Sequence, residues 1–354
     1  MQRESAPRGY RSGDRALLAE AWASPYLFPL ARSWGVRAST TETEESLRDP
    51  ASARAILLDG GAALALYRKF DWVEQRCMLS IMPADESATP DRLTCWLRQA
   101  TDLAWYEWNI ARLYGEIIGE QTAARAVMEG TPWQVEATIP RSLSSWPGGD
   151  ATDLLYVGCL REDVSRSVAT ERVDQYPRRG SSRSDSDWSF QPLDRCIAGQ
   201  VASWFRDPAF FFTTSRPDLL PEAAVMRTLL GRPSGRCYVA LSGETPVALG
   251  CVDWTPERRI VHIDFRCMPD RERPPDSEPP DARALLGSFL RLIRRLYLPR
   301  ALVRESVPID HTVNALFAGH GFAPCGVRRG HLYRNGRRHD VLVSACTADG
   351  SGES

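Results

Sequence analysis

The stretch Asp310-His311-Thr312-Val313-Asn314-Ala315-Leu316-Phe317-Ala318-Gly319-His320-Gly321-Phe322 reads as a short helix over 310–318 that stops at glycine. Strands follow at 324–333 and 339–346. Asp310 suits the N-cap of that helix, because its carboxylate can accept from the first free backbone N–H groups. With His311 it also reads as a pair of groups able to exchange a proton. Upstream, 300–306 reads as a strand. The segment 282–297 reads as a long helix whose apolar residues Leu285, Leu286, Phe289, Leu290 and Ile293 recur at helical spacing. Before it come strands at 236–241, 246–253 and 259–267, the first two joined by the turn Ser242-Gly243-Glu244, and a helix at 194–206.

The first half of the chain repeats this order. A helix at 15–23 precedes a strand pair at 53–58 and 62–68 around Asp59-Gly60-Gly61, and a strand at 75–82. Thr89-Pro90-Asp91 starts a helix that runs to about Trp108, with Leu93, Trp96, Leu97, Ala100, Leu103 and Ala104 on one face. A strand at 111–118, a helix at 121–129 and strands at 134–142 and 152–160 complete it. Asp71-Trp72 and Asp253-Trp254, Met82-Pro83 and Met268-Pro269, and Trp133 and Phe322 lie 182, 186 and 189 residues apart. Steady offsets of this kind point to a duplicated domain. Residues 161–192, with their Arg-Arg-Gly-Ser-Ser-Arg-Ser-Asp-Ser-Asp core, are too poor in apolar groups to offset their chain entropy, and read as a linker. The expected organisation is therefore α+β: domains at 1–160 and 193–346, each one mixed, mostly antiparallel sheet flanked by helices, and a loose tail at 347–354.

This element order resembles the GNAT family of N-acetyltransferases. In the second half the resemblance rests on 310–322 and on Arg337-Arg338-His339-Asp340-Val341-Leu342-Val343 as the closing strand. In the first half it rests on 125–136, from Arg125 to Glu136, followed by Asp153-Leu154-Leu155-Tyr156-Val157-Gly158-Cys159-Leu160. The resemblance implies a thioester held where the fourth and fifth strands splay apart. It also implies acyl-CoA as donor, its pyrophosphate cradled by a glycine-containing loop before the long helix. Here those loops, Pro83–Pro90 and Pro269–Asp281, hold no glycine and are acidic. The family's tyrosine acid falls on Phe317 in the second half and Met128 in the first. Ordinary acetyl-CoA chemistry is thereby placed in doubt, and a carrier protein presenting a pantetheine thioester becomes an alternative donor.

All five histidines, His262, His311, His320, His331 and His339, lie in the second half. His262 and Asp264 stand two apart on one strand and so share a face. Glu305 and Ser306 end the next. His262, Asp264 and Glu305 are candidates for deprotonating an amine; the alternative is that His262 and Asp264 are half-exposed strand polars. Tyr333 could supply the missing acid or pack as a hairpin aromatic. Arg271 and Arg273 could face an anionic donor beside Cys267 and Met268. His320 and His339 read as surface residues. The first half has no histidine, so it reads as a structural or substrate-shaping partner. Its aromatic helix Trp96 to Trp108 reads as core before cofactor platform.

Composition narrows the classes. The chain has 354 residues, 43% hydrophobic and 25% charged, with net charge −1. That excludes fibrous or wholly disordered chains and gives no reason to expect an anionic-membrane partner. Lys69 is the one lysine, which leaves 43 arginines; the bias reads as codon usage or as an anion-binding surface. No apolar run spans a bilayer, and the N-terminal charges are not followed by an apolar segment, so a soluble cytoplasmic protein without a secretory signal is expected. Nine cysteines without a C-x-x-C spacing make a disulfide framework or a zinc site unexpected. The leading expectation is a bacterial acyltransferase, of specialised metabolism, that acylates a small-molecule amine from acyl-CoA or an acyl carrier protein without a metal. The alternatives are an aminoacyl-tRNA-dependent transferase, for which residues 186–354 with 22 basic against 19 acidic groups offer little basic surface, and a non-catalytic binding protein.

Overall fold

The computed structural model describes residues 7–14, 16, 47, 53–72, 74–83, 89–118, 121–144, 151–161, 166–167, 188–206, 230, 235–255, 259–273, 279–307, 310–334 and 337–347. The expected helix at 15–23, except residue 16, lies outside them. So do most of the 161–192 linker, the loop cores 84–88 and 274–278, and the tail beyond 347. The chain divides into two compact units: Met1–Val168 with Gly326–Asp340, and Ala169–Cys325 with Val341–Ser354.

In the first unit, β1 (Arg8–Gly9), β2 (Ala53–Leu58), β3 (Ala63–Asp71) and β4 (Arg76–Pro83) form an antiparallel run. Then come α1 (Pro90–Glu107), β5 (Arg112–Ile118), α2 (Gln121–Met128), β6 (Gln134–Ser144), β7 (Ala151–Leu160) and the short β8 (Arg166–Ser167). Strand β7 lies between β5 and β6, antiparallel to both. The start of α1 follows from its sequence: the Thr89 hydroxyl accepts from Arg92 N at 3.4 Å and Pro90 occupies the first turn, where its missing N–H costs nothing. Leu93, Trp96, Leu97, Ala100 and Ala104 bury one stripe against Tyr67, Leu79 and Leu113 of the sheet.

The second unit carries β9 (Phe190–Pro192), α3 (Arg195–Ala202), β10 (Gly235–Ser242), β11 (Thr245–Thr255), β12 (Ile260–Cys267), α4 (Ala282–Tyr297), β13 (Ala301–Ser306) and α5 (His311–Ala318). The hairpin of β14 (Ala323–Arg334) and β15 (Arg337–Thr347) closes the chain. The sheet order is β9-β10-β11-β12-β13-β15, antiparallel except for the β12–β13 pair. Asp281 caps α4 by accepting from Arg283 N and Ala284 N at 2.9 and 3.2 Å. Gly250 lets α4 sit directly on the sheet, since a Cβ there would lie 2.3 Å from the Phe289 ring. Cys237, Leu249 and Cys251 face the other way, onto Val201, Trp204 and Phe205 of α3 and the turn that follows it.

The architecture is α+β with mixed sheets, and residues 53–160 and 235–347 each run β-β-β-α-β-α-β-β. One boundary differs from expectation. The hairpin end 326–340, placed by sequence in a domain at 193–346, belongs to the first unit. Gly326 pairs with Ala137 of β6, and the Arg338 guanidinium donates to the Glu74 and Gln75 carbonyls.

Candidate active site

In each unit the parallel pair separates after three matched positions. Ile260, Val261 and His262 pair with Ala301, Leu302 and Val303, after which β12 and β13 run on unmatched to Cys267 and Ser306. In the first unit Arg76 to Met78 pair with Arg112 to Tyr114, and β4 and β5 then diverge. A polar group on the open part of such a pair is not covered by the neighbouring ladder, so it can address a molecule lying between the strands.

In the second unit this part of the sheet is charged. The Asp264 side chain is 14% exposed, and its Oδ1 accepts from the Phe265 N–H at 2.9 Å. Its Oδ2 is buried without a hydrogen-bond partner. Arg266 Nε stands 3.7 Å from that Oδ1, and Arg266 Nη1 donates to Asp310 Oδ2 at 2.5 Å. Across the opening, the buried Arg304 donates from Nη1 to Asn314 Oδ1 at 2.6 Å, with its guanidinium 4.3 Å from the Phe317 ring centroid. The Ser306 hydroxyl is wholly buried and has no partner. Burial pushes the Asp264 carboxyl up to about 6, against the pull of Arg266 and Arg304. An ordinary surface aspartate is fully ionised well below that, so Asp264 is the acidic group of this opening whose environment most favours its protonated form.

Strand alternation places His262 and Asp264 on one face, as the sequence implied, and the His262–Val303 register puts Glu305 on that face as well. His262 is half-buried and sits directly across from the exposed Asp253; Glu305 is half-buried and pairs with Val343 of β15. Tyr333 is not brought to this group. It lies in the hairpin end of the first unit, with the Arg338 guanidinium 5.8 Å from its ring. Arg271 and Arg273 sit on an exposed turn, Arg271 Nε 3.6 Å from Glu272 and Arg273 bonded to Asp270. Cys267 packs towards α4, where burial pushes its thiol up to about 12. The Met268 N–H is taken by the Val247 carbonyl at 2.9 Å, and its side chain packs with the α3 cluster.

Three readings change. Asp310 makes no side-chain cap to α5; its carboxylate serves Arg266 instead. His320 is not a plain surface residue, since Nε2 lies 3.1 Å from the Arg283 carbonyl and burial holds its pKa below the usual value. Arg266 and the buried Arg304–Asn314 pair were not singled out by sequence. The signal was present in Ala301-Leu302-Val303-Arg304-Glu305-Ser306, where an arginine interrupts a strand that is otherwise apolar up to that point.

The first unit holds a second buried charged network. Arg112, with no exposed side-chain surface, donates to Glu136 Oε2 at 2.5 Å and to His331 Nδ1 at 3.3 Å. Arg76 donates to the His331 carbonyl at 3.0 Å and pairs with Glu74 at 2.8 Å. Burial, then Arg328, Arg76, Arg112 and Arg338, hold His331 well below its ordinary pKa, so the ring is neutral and accepts at Nδ1. Glu136, His331 and the Arg112 and Arg76 guanidiniums thus bind one another inside the first unit, while Arg112 Nη1 is buried without a hydrogen-bond partner. Among the described residues no cluster of His, Cys, Asp or Glu could hold a metal ion, and no helix is long and apolar enough to cross a membrane.

No known family model matches the chain, and no curated protein matches it. Among solved structures, a chimera of the Vibrio cholerae spermidine N-acetyltransferase SpeG with hSSAT is similar at 14% identity and TM-score 0.39, covering 46% of this chain and 96% of its own. RimL, a ribosomal L7/L12 alpha-N-protein acetyltransferase in complex with coenzyme A, is similar at 14% identity and TM-score 0.39, covering 49% and 98%. At this identity and TM-score the likeness fixes neither activity nor substrate.

Proposed function

We propose that the chain is a tandem GNAT-type protein whose second unit is an N-acyltransferase acting on a small amine. The observation that carries this reading is the Asp264 carboxyl on the open part of the β12–β13 pair, its Oδ2 without a partner and its pKa near 6. In this reading the amine nitrogen attacks the thioester carbonyl. The N–C bond forms, its proton passes to Asp264 directly or through water, the C–S bond breaks, and the sulfur leaves as thiol after taking up a proton. In this reading the positive charges of Arg266 and Arg304 favour the ionised carboxylate. His262 and Glu305 share the face and assist proton movement. Arg271 and Arg273, beside Cys267 and Met268, meet an anionic part of the donor. Residues 1–160, which hold no histidine, are read as supporting rather than catalysing.

The donor is acyl-CoA or a carrier-bound acyl thioester. The lack of glycine in Pro83–Pro90 and Pro269–Asp281 favours a carrier, which presents pantetheine without a free pyrophosphate. The test is thiol release and product mass with a panel of acyl-CoAs and acyl carriers, each with mixed small amines. Transfer from one donor class, reduced on the order of 10²-fold in kcat/KM by Asp264→Asn, supports the reading. No transfer from either class removes it and leaves a binding protein; salt-sensitive retention of bulk tRNA would direct the search to an aminoacyl-tRNA donor.

A further inference from the structure

Cys237 of β10 and Cys251 of β11 are directly opposite in antiparallel register, with Sγ atoms 2.9 Å apart. Directly opposed residues of such a pair have Cα atoms about 4.5 or 5.5 Å apart and Cβ atoms about 4.5–5.5 Å apart. A disulfide asks for Cα atoms roughly 4.4–6.8 Å apart and Cβ atoms about 3.5–4.5 Å apart. The Cα ranges overlap and the Cβ ranges meet at about 4.5 Å, so with the sulfurs already 2.9 Å apart, closing the bond asks for side-chain rotation and a small approach of the two strands. The side chains lie on the dry face towards α3, among Val201, Val239 and Leu249, where an apolar disulfide is as well accommodated as two thiols. Strand β9 pairs with Tyr238, Val239 and Ala240, and the Leu193 N–H that follows it donates to the Cys237 carbonyl at 2.8 Å, so both thiols are buried. A small oxidant reaches them by local opening of this edge of the sheet.

We infer that Cys237 and Cys251 are a redox-active dithiol that closes to a reversible cross-strand disulfide under hydrogen peroxide. One thiolate attacks the peroxide oxygen; the O–O bond breaks, giving a sulfenic acid and, after protonation, one water. The second thiol then attacks the sulfenic sulfur, forming the S–S bond and releasing a second water. Two thiols are oxidised, one peroxide is reduced, and two waters carry the oxygens. The bond would tie β10 to β11 at the position where Cys251 stands across from Asp264 of β12. The inference does not depend on acyl transfer.

The experiment uses the whole reduced chain, treated with hydrogen peroxide, digested without reductant and mapped by mass. The expected result is a linked pair of peptides containing Cys237 and Cys251, lighter by two hydrogens than the separate thiol peptides and separated again by a thiol reductant. Cys237→Ser should abolish that species, and the oxidised wild type should melt at a higher temperature than the reduced protein. Exposed Cys95 and Cys196 report that the oxidant reached the protein. If they are oxidised while Cys237 and Cys251 return as free thiols, or if either pairs with another cysteine, the inference is overturned.

Discussion

Asp264 stands under two opposed influences. Removing its carboxylate from water favours the protonated form, while Arg266 and Arg304 favour the charged form, and the balance lies on the side of burial. That balance depends on Asp310, which takes one Nη of Arg266 rather than capping α5. A cap reading was natural from sequence, because Asp before a helix is common and a partner 44 residues earlier leaves no local trace. His262, Asp264 and Glu305 were legible because strand alternation is a local rule. Arg304 was not singled out, because its partners Asn314 and Phe317 lie on a helix that follows the strand and its pull on Asp264 acts across two strands joined by a long helix. At this scale the anion-facing turn can be tested. Arg271→Ala with Arg273→Ala should raise the donor KM several-fold with kcat nearly unchanged, since a positioning charge acts on ground and transition states alike. Their surface pairs with Glu272 and Asp270 are weak enough to be exchanged for a ligand. A double variant with unchanged donor KM would make the turn a solvated connector.

The elements themselves were the most legible part. The helix at 282–297 matches its expected span, and the expected strands agree within a residue or two at most ends, because period and turn residues are written locally. What sequence did not reveal is how close two elements come. Strand β7 carries Gly158, where a Cβ would stand 2.7 Å from both Arg112 Nη2 and Glu136 Oε2. The buried ion pair therefore occupies the space a side chain would take. Gly158→Ala should destabilise the protein by about 1–3 kcal/mol through overpacking against groups that cannot retreat into water. Chemical denaturation would measure it, and a change within experimental error would show that the Arg112–Glu136 pair has room to move.

For the molecule as a whole, composition alone placed the chain among ordinary folded proteins, and the landmark offsets anticipated that residues 53–160 and 235–347 run through the same order of elements. The division between units was not legible at the C-terminal hairpin, because the pairing of Gly326 with Ala137 joins positions 189 residues apart. Neither was the network that encloses His331. Its pKa is depressed in the folded chain, so the unfolded chain binds that proton more readily. Its stabilising contribution is therefore complete above the unfolded value of about 6.5 and is lost as pH falls below it towards the folded value. The thermal midpoint should fall as pH drops from about 7 to 5, and His331→Gln should flatten that dependence. A wild-type midpoint constant over that range would contradict the buried neutral ring.

The most direct test of the central claim, that Asp264 is the proton acceptor of an acyl transfer, is the pH dependence of kcat/KM with a donor and amine that react. Asp264 must be ionised to accept the proton, so activity should rise through an apparent pKa of about 6 and level above it. In Asp264→Asn the activity should fall on the order of 10²-fold and the limb near 6 should disappear. An Asp264→Asn protein that keeps wild-type activity and the same limb would contradict the account.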